Sequence, residues 1–402
     1  MSRALPTVAR LAAWRHHLHR MPEIAFTEHK TSAFIAEQLA SFGGDIEIRK
    51  GLGGGTGIVA TIRGAGALAP DAARRAIALR ADIDALPIEE EADVPYRSEV
   101  PGVAHLCGHD GHTSMLLGAA EALAGPARDS FGGAVHLIFQ PAEEAGGGAA
   151  VMIEEGLFDS VAADAAEVYG MHNWPVAISR RLRPGQFSAR AGPIMASADE
   201  FAIDIEGRGG HAAMPHVCVD PVHAGAQLVL ALQAIVAREA DPLQPVVLST
   251  TLFHAGEAVN AIPGSARLAG TVRAFDADAR ARALDGIRRV ADAVAASTGT
   301  RARVDVAEGY PSTVNAAAQT AFAADVAAEI VGEDNVLRDL EPPTMGAEDF
   351  SYMLQKRPGA YLWLCGDSEY ALHHPKYVFD DAVLPLGAAW FVRLAQRALP
   401  AV

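Results

Sequence analysis

The feature that most constrains the fold is the alternation of short apolar segments with helical ones along the chain. Residues 76–82, 134–139 and 166–171 are apolar runs of strand length, and residues 360–364 form another. Between the first two runs, residues 112–123 repeat apolar side chains at helical spacing. Strands that alternate with helices are typical of a sheet whose strands are mostly parallel. The sequence therefore predicts an α/β fold with a mixed, mostly parallel sheet.

A different pattern interrupts this alternation between residues 191 and 309. Residues 200–206 alternate between apolar and polar side chains, as a strand does when only one of its faces is buried. Two predicted helices and three further strands follow in the order β-α-β-β-α-β, which is the ferredoxin-like arrangement of one sheet backed by two helices. We therefore predict a small domain, residues 191–309, inserted into a larger domain formed by residues 1–190 and 310–402.

Charge and cysteine content limit the partners and the compartment that we expect. The formal net charge is −16 at pH 7, and an acidic chain is a poor partner for nucleic acid or an anionic membrane. Three widely spaced cysteines do not form a disulfide framework, which favours a reducing compartment. The first twenty residues lack the apolar core of a signal peptide, and no apolar run reaches the roughly 18 residues of a membrane span. We expect a cytoplasmic protein that binds neither nucleic acid nor membrane.

The densest cluster of potential metal ligands is residues 105–112, His-Leu-Cys-Gly-His-Asp-Gly-His. Thiolate and imidazole both bind zinc and neighbouring transition metals. Cys107 and His109 are two residues apart, so on an extended segment both side chains lie on one face and can reach one metal. Asp110 lies near the expected N-cap of the helix that follows. The alternative interpretation is a histidine-rich surface loop beside a buried cysteine.

Two adjacent carboxylates, Glu143 and Glu144, follow the apolar run 134–139 and a proline. An unpaired carboxylate is unfavourable in a protein interior, so a pair at this place is unusual. A metal hydrolase needs one carboxylate as a ligand and another as a general base that accepts a proton from water. Adjacent glutamates after a sharp turn can divide these two roles. A solvated loop tip is the alternative interpretation.

Further histidines fall at similar places in the predicted sheet. His172 follows the run 166–171, and His373 follows the run 360–364 after a short loop. Open α/β sheets place their sites at the carboxyl ends of the strands, so these histidines and the clusters above are expected to meet there. In contrast, His16 and His19 are predicted to lie on the exposed face of an N-terminal helix.

The pair Asp82 and Asp84 also ends a predicted strand. Carboxylates two residues apart face one side of a strand, so they can orient a ligand histidine through a hydrogen bond. They can equally be turn residues without a role in the site. The sequence does not decide between these two interpretations.

The inserted segment carries its own candidates, His211, Asn260 and Arg273. A neutral amide suits the amide group of a substrate, and a guanidinium binds a carboxylate through two parallel hydrogen bonds. Each of these residues taken alone would be interpreted as an ordinary surface residue. Together they predict a site for a small molecule with an amide and a terminal carboxylate.

Taken in order, the motifs of this chain resemble those of a known family. They are LRADIDALPI, HLCGHDGHTSMLLGAA, FQPAEE, GMHNWP, GRGGHAAMPH, NAIPG, GTVR, MGAEDFSYM and LHHP. The chain is similar to the bacterial and plant amidohydrolases of the aminoacylase/carboxypeptidase superfamily. That group includes hippurate hydrolases, N-acyl-amino-acid deacylases and indole-acetyl-amino-acid hydrolases. The resemblance extends from about residue 10 to residue 395, and the combination of motifs is highly specific although no single motif is.

The resemblance implies a catalytic domain that holds two divalent metal ions per subunit. It also implies that the inserted domain is a lid that mediates a homodimer or a higher homo-oligomer. By motif, the implied metal ligands are Cys107, His109, Glu144, His172 and His373. Glu143 is the implied general base. From the residues themselves, we predict that Asp82 and Asp110 support the ligands as outer-shell groups, Asp110 at the turn where the helix starts.

The same resemblance assigns the substrate side of the site. His211, Asn260 and Arg273 are implied to bind substrate, and His211 is implied to reach the active site of the other subunit and stabilise the oxyanion. The wider superfamily has histidine and aspartate where this chain has Arg80 and Cys107. Because a thiolate favours softer ions than a carboxylate does, the metal is open among manganese, zinc, cobalt and nickel.

The function that follows is metal-dependent hydrolysis of the amide bond of N-acyl-amino acids, hippurate among them. The products are a carboxylic acid and an amino acid. A metal-dependent dipeptidase or carboxypeptidase is one alternative, and a hydrolase that uses Cys107 as its nucleophile is another. A metal-dependent binding protein without catalytic activity is a third. The motifs do not identify the acyl group.

Overall fold

A computed structural model describes residues 5–70 and 72–402 of the chain. The signal-peptide prediction rests in part on residues 1–4, which lie outside the described residues. The described chain divides into two compact units. The larger contains the described residues up to Gly192 together with Val314–Pro342 and Asp349–Val402, and the smaller contains Pro193–Thr313 and Pro343–Glu348.

The helices of the described residues are, in chain order, α1 Val8–Arg20, α2 His29–Ser41, α3 His109–Ala124, α4 Gly148–Glu154, α5 Pro221–Ala234, α6 Ala277–Thr298, α7 Ala317–Val331, α8 Phe350–Lys356 and α9 Leu384–Ala398. The strands are β1 Glu47–Leu52, β2 Gly57–Arg63, β3 Ala76–Asp82, β4 Ala134–Gln140, β5 Ala165–Pro175, β6 Phe187–Ala189, β7 Gly192–Met195, β8 Asp199–Glu206, β9 Gly210–His211, β10 Val246–Ala255, β11 Ala261–Ile262, β12 Ser265–Ala274, β13 Arg301–Glu308, β14 Thr313–Asn315, β15 Val336–Arg338 and β16 Gly359–Gly366.

The larger unit is built on a sheet in which eight strands of the described residues lie in the order β1-β2-β4-β3-β5-β16-β6-β15. The four central strands, β4, β3, β5 and β16, are parallel to one another. Antiparallel pairs flank them on both sides. The prediction of an α/β fold with a large mixed sheet is therefore confirmed. Every residue of β4 and of β16 is buried, which explains their continuous apolar character.

Helix α3 lies in the core of the larger unit, where all its residues except Glu121 are buried. It begins at His109, three residues before the predicted start at His112. The residue before it, Gly108, has a φ of 93°, and a side chain there would collide with the carboxamide of Asn173. Gly108 is thus the N-cap residue, and Asp110 lies in the first turn of the helix, not at its N-cap as predicted.

The predicted strand 166–171 is also longer in the structure. Strand β5 runs from Ala165 to Pro175 because Gly359–Gly366 pairs with it in parallel as far as Gly366 opposite Pro175. His172 therefore lies inside the strand and not beyond its end, in register with Trp363 of β16.

The smaller unit contains an antiparallel sheet of the order β10-β12-β8-β13, and its elements follow one another as β8, α5, β10, β12, α6 and β13. Side chains of α5 and α6 form one apolar core with this sheet, around Leu228, Leu268 and Ile287. The segment Pro343–Glu348 also belongs to this unit, since the Thr344 N–H donates to the carbonyl of Ile194 at 3.0 Å. This segment differs from the predicted domain bounds, in which residues 310–402 belong to the larger domain. Within the described ranges, no helix has both the length and the apolar character needed to cross a membrane.

Candidate metal centre

The five residues implied as metal ligands lie together in the larger unit. One potential ligand atom each from Cys107, His109 and His172 lie within 4.8 Å of one another. The same holds for Cys107, Glu144 and His373. The two groups share Cys107, whose Sγ lies 3.4 Å from Nε2 of His172. This arrangement provides two adjacent places for a cation with one common sulfur ligand.

The parallel centre of the sheet brings these residues to one edge. Glu144 follows β4, Cys107 and His109 lie where the chain enters α3, His172 lies near the carboxyl end of β5, and His373 follows β16. Because β4, β3, β5 and β16 are neighbours and parallel, their carboxyl ends meet at the same edge. Residues that are far apart in the sequence thereby become neighbours in space.

Two non-glycine residues at this edge have left-handed backbone conformations. Ala142, with a φ of 54°, lies directly before Glu143, and the ligand candidate His373 has a φ of 65°. The His373 N–H donates to the carbonyl of Leu106 at 2.8 Å, which ties its loop to the residue before Cys107. Such conformations cost about 1–3 kcal/mol and persist where surrounding contacts hold them. The backbone at Ala142 and at His373 is therefore held in conformations that such residues rarely adopt.

His109 is oriented by Asp84. Nδ1 of His109 lies 3.1 Å from Oδ1 of Asp84, and Oδ2 of the same carboxylate accepts the Glu144 N–H at 2.9 Å. Nε2 of His109 is buried and has no hydrogen-bond partner among the described residues. A histidine that donates Nδ1–H to a carboxylate and leaves Nε2 free has the usual form of a metal-ligating histidine. Asp84 thus contacts one ligand candidate by its side chain and another by its backbone.

The electrostatics at His109 favour a positive charge. Burial opposes protonation of this imidazole, but the carboxylates of Asp82 and Asp84 outweigh it and raise the pKa of His109 to about 10. Glu144 lies 3.9 Å from Nε2 of His109 and 3.1 Å from Nε2 of His373. Burial disfavours the charge on Glu144, yet the nearby imidazole of His373 and the charge of His109 lower the pKa of its carboxyl group. The cluster attracts a cation, so the residues present fit divalent metal ions.

His172 is prepared as a neutral ligand. Its Nδ1–H donates to the backbone carbonyl of Asn173 at 2.6 Å, which leaves Nε2 directed toward Cys107. Burial, and then the neighbouring His112, lower the pKa of His172 well below its ordinary value. A neutral imidazole is the form that binds a metal.

Cys107 is poorly suited to act as a nucleophile by itself. Burial is the main cause that raises the pKa of its thiol well above the ordinary value, and the carboxylates of Glu144 and Glu143 add to it. A thiol becomes a strong nucleophile when its pKa is lowered, and here burial and the two glutamates raise the pKa instead. A thiolate at this position needs a cation beside it, which agrees with a ligand role.

Glu143, the implied general base, is buried beside the cluster. Its carboxylate lies with Nε2 or Nδ1 of His109 and an oxygen of Glu144 inside one 4.8 Å group. Because Glu143 and Glu144 are consecutive after the left-handed Ala142, one turn carries both carboxylates into the site. The positions of Glu143 and Glu144 are thus compatible with one acting as the general base and the other as a metal ligand.

Asp82 contacts His112, a histidine that is not among the implied ligands. Oδ1 of Asp82 lies 2.6 Å from Nδ1 of His112, and its other oxygen accepts from Nη1 of Arg80 at 2.7 Å. Nε2 of His112 accepts the N–H of Asn173 at 2.9 Å. Asp82 therefore acts on the backbone next to His172 through His112. Arg80, which stands where the wider superfamily has a histidine, is a buried cation paired with carboxylates and has no free lone pair for a metal.

Among the described residues, the side chain of Asp110 forms hydrogen bonds with residues other than the implied ligands. Its Oδ2 accepts from Nη1 of Arg15 at 3.1 Å and lies 2.8 Å from Nδ1 of His19, both on α1. The prediction that His19 lies on an exposed face is wrong, because His19 is buried between Asp110 and Glu90. Leu11 and Leu18 mark the inward face of α1, and Arg15 and His19 lie one helical turn apart beside them. This buried polar network anchors the start of α3.

Sequence reasoning missed His112 and Asn173 as members of the site. His112 stands in the same motif as His109, but its position was interpreted as support for the helix start. Asn173 follows His172 directly, and its carboxamide oxygen lies 2.6 Å from Nε2 of His112. Their proximity in sequence to the ligand candidates is the signal that could have indicated both residues. For His105 the sequence indicates no role, and burial lowers its pKa to about 4.

The three substrate-binding candidates lie on or next to two different strand pairs of the smaller unit. His211 lies in β9, and the carbonyl of Asn260 accepts the N–H of Ala212 at 3.0 Å, so His211 and Asn260 lie on neighbouring backbone segments. Both residues are exposed, whereas Arg273 is half-buried in β12 opposite Val247. The structure thus brings His211 and Asn260 near each other within this unit and places Arg273 on a different strand pair.

Comparison with known proteins identifies the family. The sequence model of the Peptidase family M20/M25/M40 matches residues 78–397. This chain belongs to that family. It is 40% identical over 389 residues to thermostable carboxypeptidase 2 of Saccharolobus solfataricus, covering 95% of this chain and 93% of the relative. It is 38% identical over 387 residues to hippurate hydrolase of Campylobacter jejuni, covering 96% and 95%.

The structural comparison agrees with this membership. The Bacillus subtilis YXEP protein, described as a dinuclear metal-binding peptidase of the M20 family, superposes with a TM-score of 0.81 at 33% identity and covers 98% of this chain and 99% of its own. The resemblance seen in the motifs is confirmed by these matches. The chain is a hydrolase of the amidohydrolase type.

Proposed function

We propose that this chain hydrolyses the amide bond of N-acyl-amino acids with two divalent metal ions and releases a carboxylic acid and an amino acid. The observation that carries the proposal is the pair of ligand groups that share Cys107, with Glu143 beside them. One neighbour of similar fold is described as a dinuclear metal-binding peptidase, and one relative is named for hydrolysis of hippurate, an N-acyl-amino acid. Both support this choice of reaction.

The residues that would hold the two ions are Cys107, His109, Glu144, His172 and His373. Bound there, the ions would polarise the substrate carbonyl and make a water molecule more acidic. Asp84 and the carbonyl of Asn173 would hold the two ligand imidazoles, His109 and His172, in the tautomer that leaves Nε2 available. The surrounding carboxylates supply the negative charge that two dications need.

Glu143 would act as the general base and then as the general acid. Its carboxylate would accept a proton from water as the water oxygen forms a bond to the substrate carbonyl carbon. The protonated Glu143 would then donate that proton to the amide nitrogen as the carbon–nitrogen bond breaks. The products are the free carboxylic acid and the amine of the amino acid, so one water is consumed for each bond broken.

The smaller unit would bind the amino-acid side of the substrate. Arg273 suits the terminal carboxylate because a guanidinium binds a carboxylate in a planar, two-pronged manner. Asn260 suits the amide group, and His211 would stabilise the negative charge that develops on the carbonyl oxygen. A contribution of this kind is worth about 3–4 kcal/mol per donor in other hydrolases.

A second candidate is hydrolysis of dipeptides or of carboxyl-terminal residues, because a relative at 40% identity is named a carboxypeptidase. Dipeptides and N-acyl-amino acids share the amide bond and the terminal carboxylate. They differ at the nitrogen of the acyl-side residue, which is a charged amine in a dipeptide. Relative rates on matched pairs, such as glycyl-alanine and acetyl-alanine, would separate the two functions.

We also propose that the chain forms a homodimer through the smaller unit. In the described part of this unit, β10 is an edge strand of the sheet, and its Leu252 and Phe253 are 51% and 41% exposed. Exposed apolar side chains on a sheet edge are unfavourable in a monomer. Light scattering of the purified protein would measure the molar mass. We also propose a cytoplasmic location, as the three widely spaced cysteines suggest, and no nucleic-acid partner, as the acidic composition suggests.

The test of the proposed function is a hydrolysis panel. The metal-free protein would be loaded in turn with manganese, zinc, cobalt or nickel and assayed with hippurate, acetyl-amino acids, indole-acetyl-amino acids and dipeptides. We expect hydrolysis of at least one N-acyl class, loss of activity in chelator and recovery on adding metal. No hydrolysis of any compound would contradict the proposal. Full activity after metal removal would favour Cys107 as a nucleophile instead.

A further inference from the structure

The turn that carries Glu143 and Glu144 contains a residue in an unfavourable backbone conformation, which surrounding contacts must stabilise. Ala142 has a φ of 54°, a region that residues with a Cβ atom avoid. Its carbonyl accepts the Gly148 N–H at 2.9 Å, and a side chain at Gly148 would collide with the carbonyl of Pro141. The left-handed Ala142 decides the direction in which the next two carboxylates point, so whatever holds Ala142 determines the geometry of the site.

The Ala142 N–H is held by Glu28, a residue more than a hundred positions earlier. Oε1 of Glu28 accepts this N–H at 2.9 Å, and Oε2 accepts the hydroxyl of Thr56 at 2.8 Å. Glu28 and Thr56 are both fully buried. A hydrogen bond from a backbone amide to a buried carboxylate is among the stronger ones in proteins.

The carboxylate of Glu28 is not used by its own helix. Glu28 is the N-cap residue of α2, but its side chain makes no capping hydrogen bond to that helix. Burial of a carboxylate is unfavourable unless it is paired with donors, and the donors of this one include the Ala142 N–H and the Thr56 hydroxyl. A residue retained for helix capping alone would place its oxygens on the helix amides instead. The contact with the turn is therefore the specific function of this side chain within the fold.

The other side of the same turn is held by Asp84, which accepts the Glu144 N–H. Two buried carboxylates thus accept backbone N–H groups on either side of Glu143: Glu28 accepts that of Ala142, and Asp84 accepts that of Glu144. Loss of either hydrogen bond would leave the peptide group that donates it free to rotate. Because Glu143 is connected directly to Ala142, rotation there moves the base first.

We propose that Glu28 is a positioning residue for the reaction, which by its hydrogen bond to the Ala142 amide fixes the carboxylates of Glu143 and Glu144. This inference rests on the proposed function, since Glu28 acts only through these two residues. Glu28 does not contact substrate or metal and moves no proton. Its effect is to keep the carboxylates of Glu143, the base, and Glu144, a ligand, in their positions relative to the rest of the site.

The test compares substitutions at Glu28 with a matched control in the same segment. Glu28→Ala removes both acceptors, whereas Glu28→Gln keeps an oxygen that can accept the Ala142 N–H. Glu23→Ala is the control, because the side chain of Glu23 accepts from the N–H and hydroxyl of Thr31 and, among the described residues, has no hydrogen bond to the turn. Each protein would be loaded with cobalt, and kcat, KM and the cobalt affinity by chelator competition would be measured on correctly folded protein.

We expect Glu28→Ala to lower kcat about 10-fold or more with KM changed less than about 2-fold, since a small displacement of a catalytic group acts on the chemical step. Cobalt affinity should fall about 10-fold because Glu144 is a ligand. Glu28→Gln should restore at least half of the wild-type kcat. Glu23→Ala should keep kcat and cobalt affinity at the wild-type level even if its melting temperature falls.

Wild-type kcat and cobalt affinity in Glu28→Ala would overturn the inference, and so would an equal loss in Glu23→Ala. If Glu28→Ala does not fold, Thr56→Val decides, because it removes the donor that orients Glu28. It should lower kcat about 3-fold or more, and an unchanged kcat would overturn the inference. If the wild type hydrolyses no substrate, the proposed function fails, whereas the cobalt affinities still decide whether Glu28 positions Glu144.

Discussion

The carboxylate of Asp84 offers a sharp test of how the metal ligands are oriented. It accepts from two donors, Nδ1–H of His109 at 3.1 Å and the Glu144 N–H at 2.9 Å. Asp84→Asn conserves size but replaces one oxygen with an amide that donates. One of the two donors then faces another donor, so one hydrogen bond is lost and the other is changed from charged to neutral.

The size of the effect follows from this count. A hydrogen bond to a charged group contributes about 1.5–3 kcal/mol, and the residue that supports a ligand typically changes metal affinity about 10- to 100-fold. The two estimates agree, because about 1.4 kcal/mol corresponds to a tenfold change in affinity. We expect Asp84→Asn to weaken binding at the place that includes His109 by about 10- to 100-fold. Activity should return in excess metal.

The assay is chelator competition with cobalt or zinc, and Asp82→Asn is the matched control. Asp82 contacts His112 and Arg80, so its loss leaves a buried cation with fewer partners and should lower the stability of the fold. Asp84→Asn should lower metal affinity more than Asp82→Asn does, and Asp82→Asn should lower the melting temperature more. Wild-type metal affinity in Asp84→Asn, or the reverse order of the two variants, would refute the reasoning.

Two further predictions concern the base and the buried network at α1. Glu143→Gln should reduce kcat by about 10²–10⁴-fold because it removes the proton acceptor, and metal content measured by mass spectrometry should stay at the wild-type level. Burial lowers the pKa of His19, but Asp110 and Glu90 outweigh it and raise that pKa from 6.5 to about 9 in the folded state. His19 therefore stabilises the fold below pH 6.5 by about 3 kcal/mol, and this contribution is lost as the pH rises toward 9. The free energy of urea unfolding should fall more steeply over that range in the wild type than in His19→Gln, and equal slopes would exclude this role.

The fold class could be predicted because the decisive pattern is local. The apolar runs at 134–139 and 360–364 are continuous since both faces of β4 and β16 are covered, and such runs are visible in one sequence. The order of strands in the sheet is not local, and it is this order that brings Glu144, His172 and His373 to one edge. The motifs and the resemblance supplied the identity of these residues, and only the structure shows that they converge.

The choice between Asp82 and Asp84 shows where sequence reasoning ends. Both residues lie at the same strand end and face the same side, so the sequence pattern does not show which of them contacts a ligand histidine. The structure places Asp84 against His109 and Asp82 against His112. His109 and His112 both lie on α3, and the local sequence does not specify which aspartate each of them contacts.

His19 and Asp110 were misinterpreted for a related reason. A histidine on an amphipathic helix is expected to be solvated, and an aspartate near a helix start is expected to cap it. Here the left-handed Gly108 moves the helix start back to His109 and turns Asp110 toward α1. His19 is buried because its partners, Asp110 and Glu90, come from parts of the chain more than 70 residues away. Polar burial that depends on distant partners has no signature in the helix itself.

Glu28 belongs to the same class of residue. Its motif, Pro-Glu-Ile-Ala-Phe-Thr-Glu, carries no recognisable ligand or catalytic pattern, and its contact with Ala142 joins positions 114 residues apart. A residue of this kind can be found only when the backbone of the turn is known.

The most direct test of the central claim is a crystal structure of the cobalt-loaded protein with anomalous scattering at the cobalt edge. We predict two anomalous peaks, each marking one cobalt ion, and both ions bound by Sγ of Cys107. One ion should also be bound by His109 and His172, and the other by Glu144 and His373. A single peak, or a peak held by Asp82 and His112 without Cys107, would contradict the account.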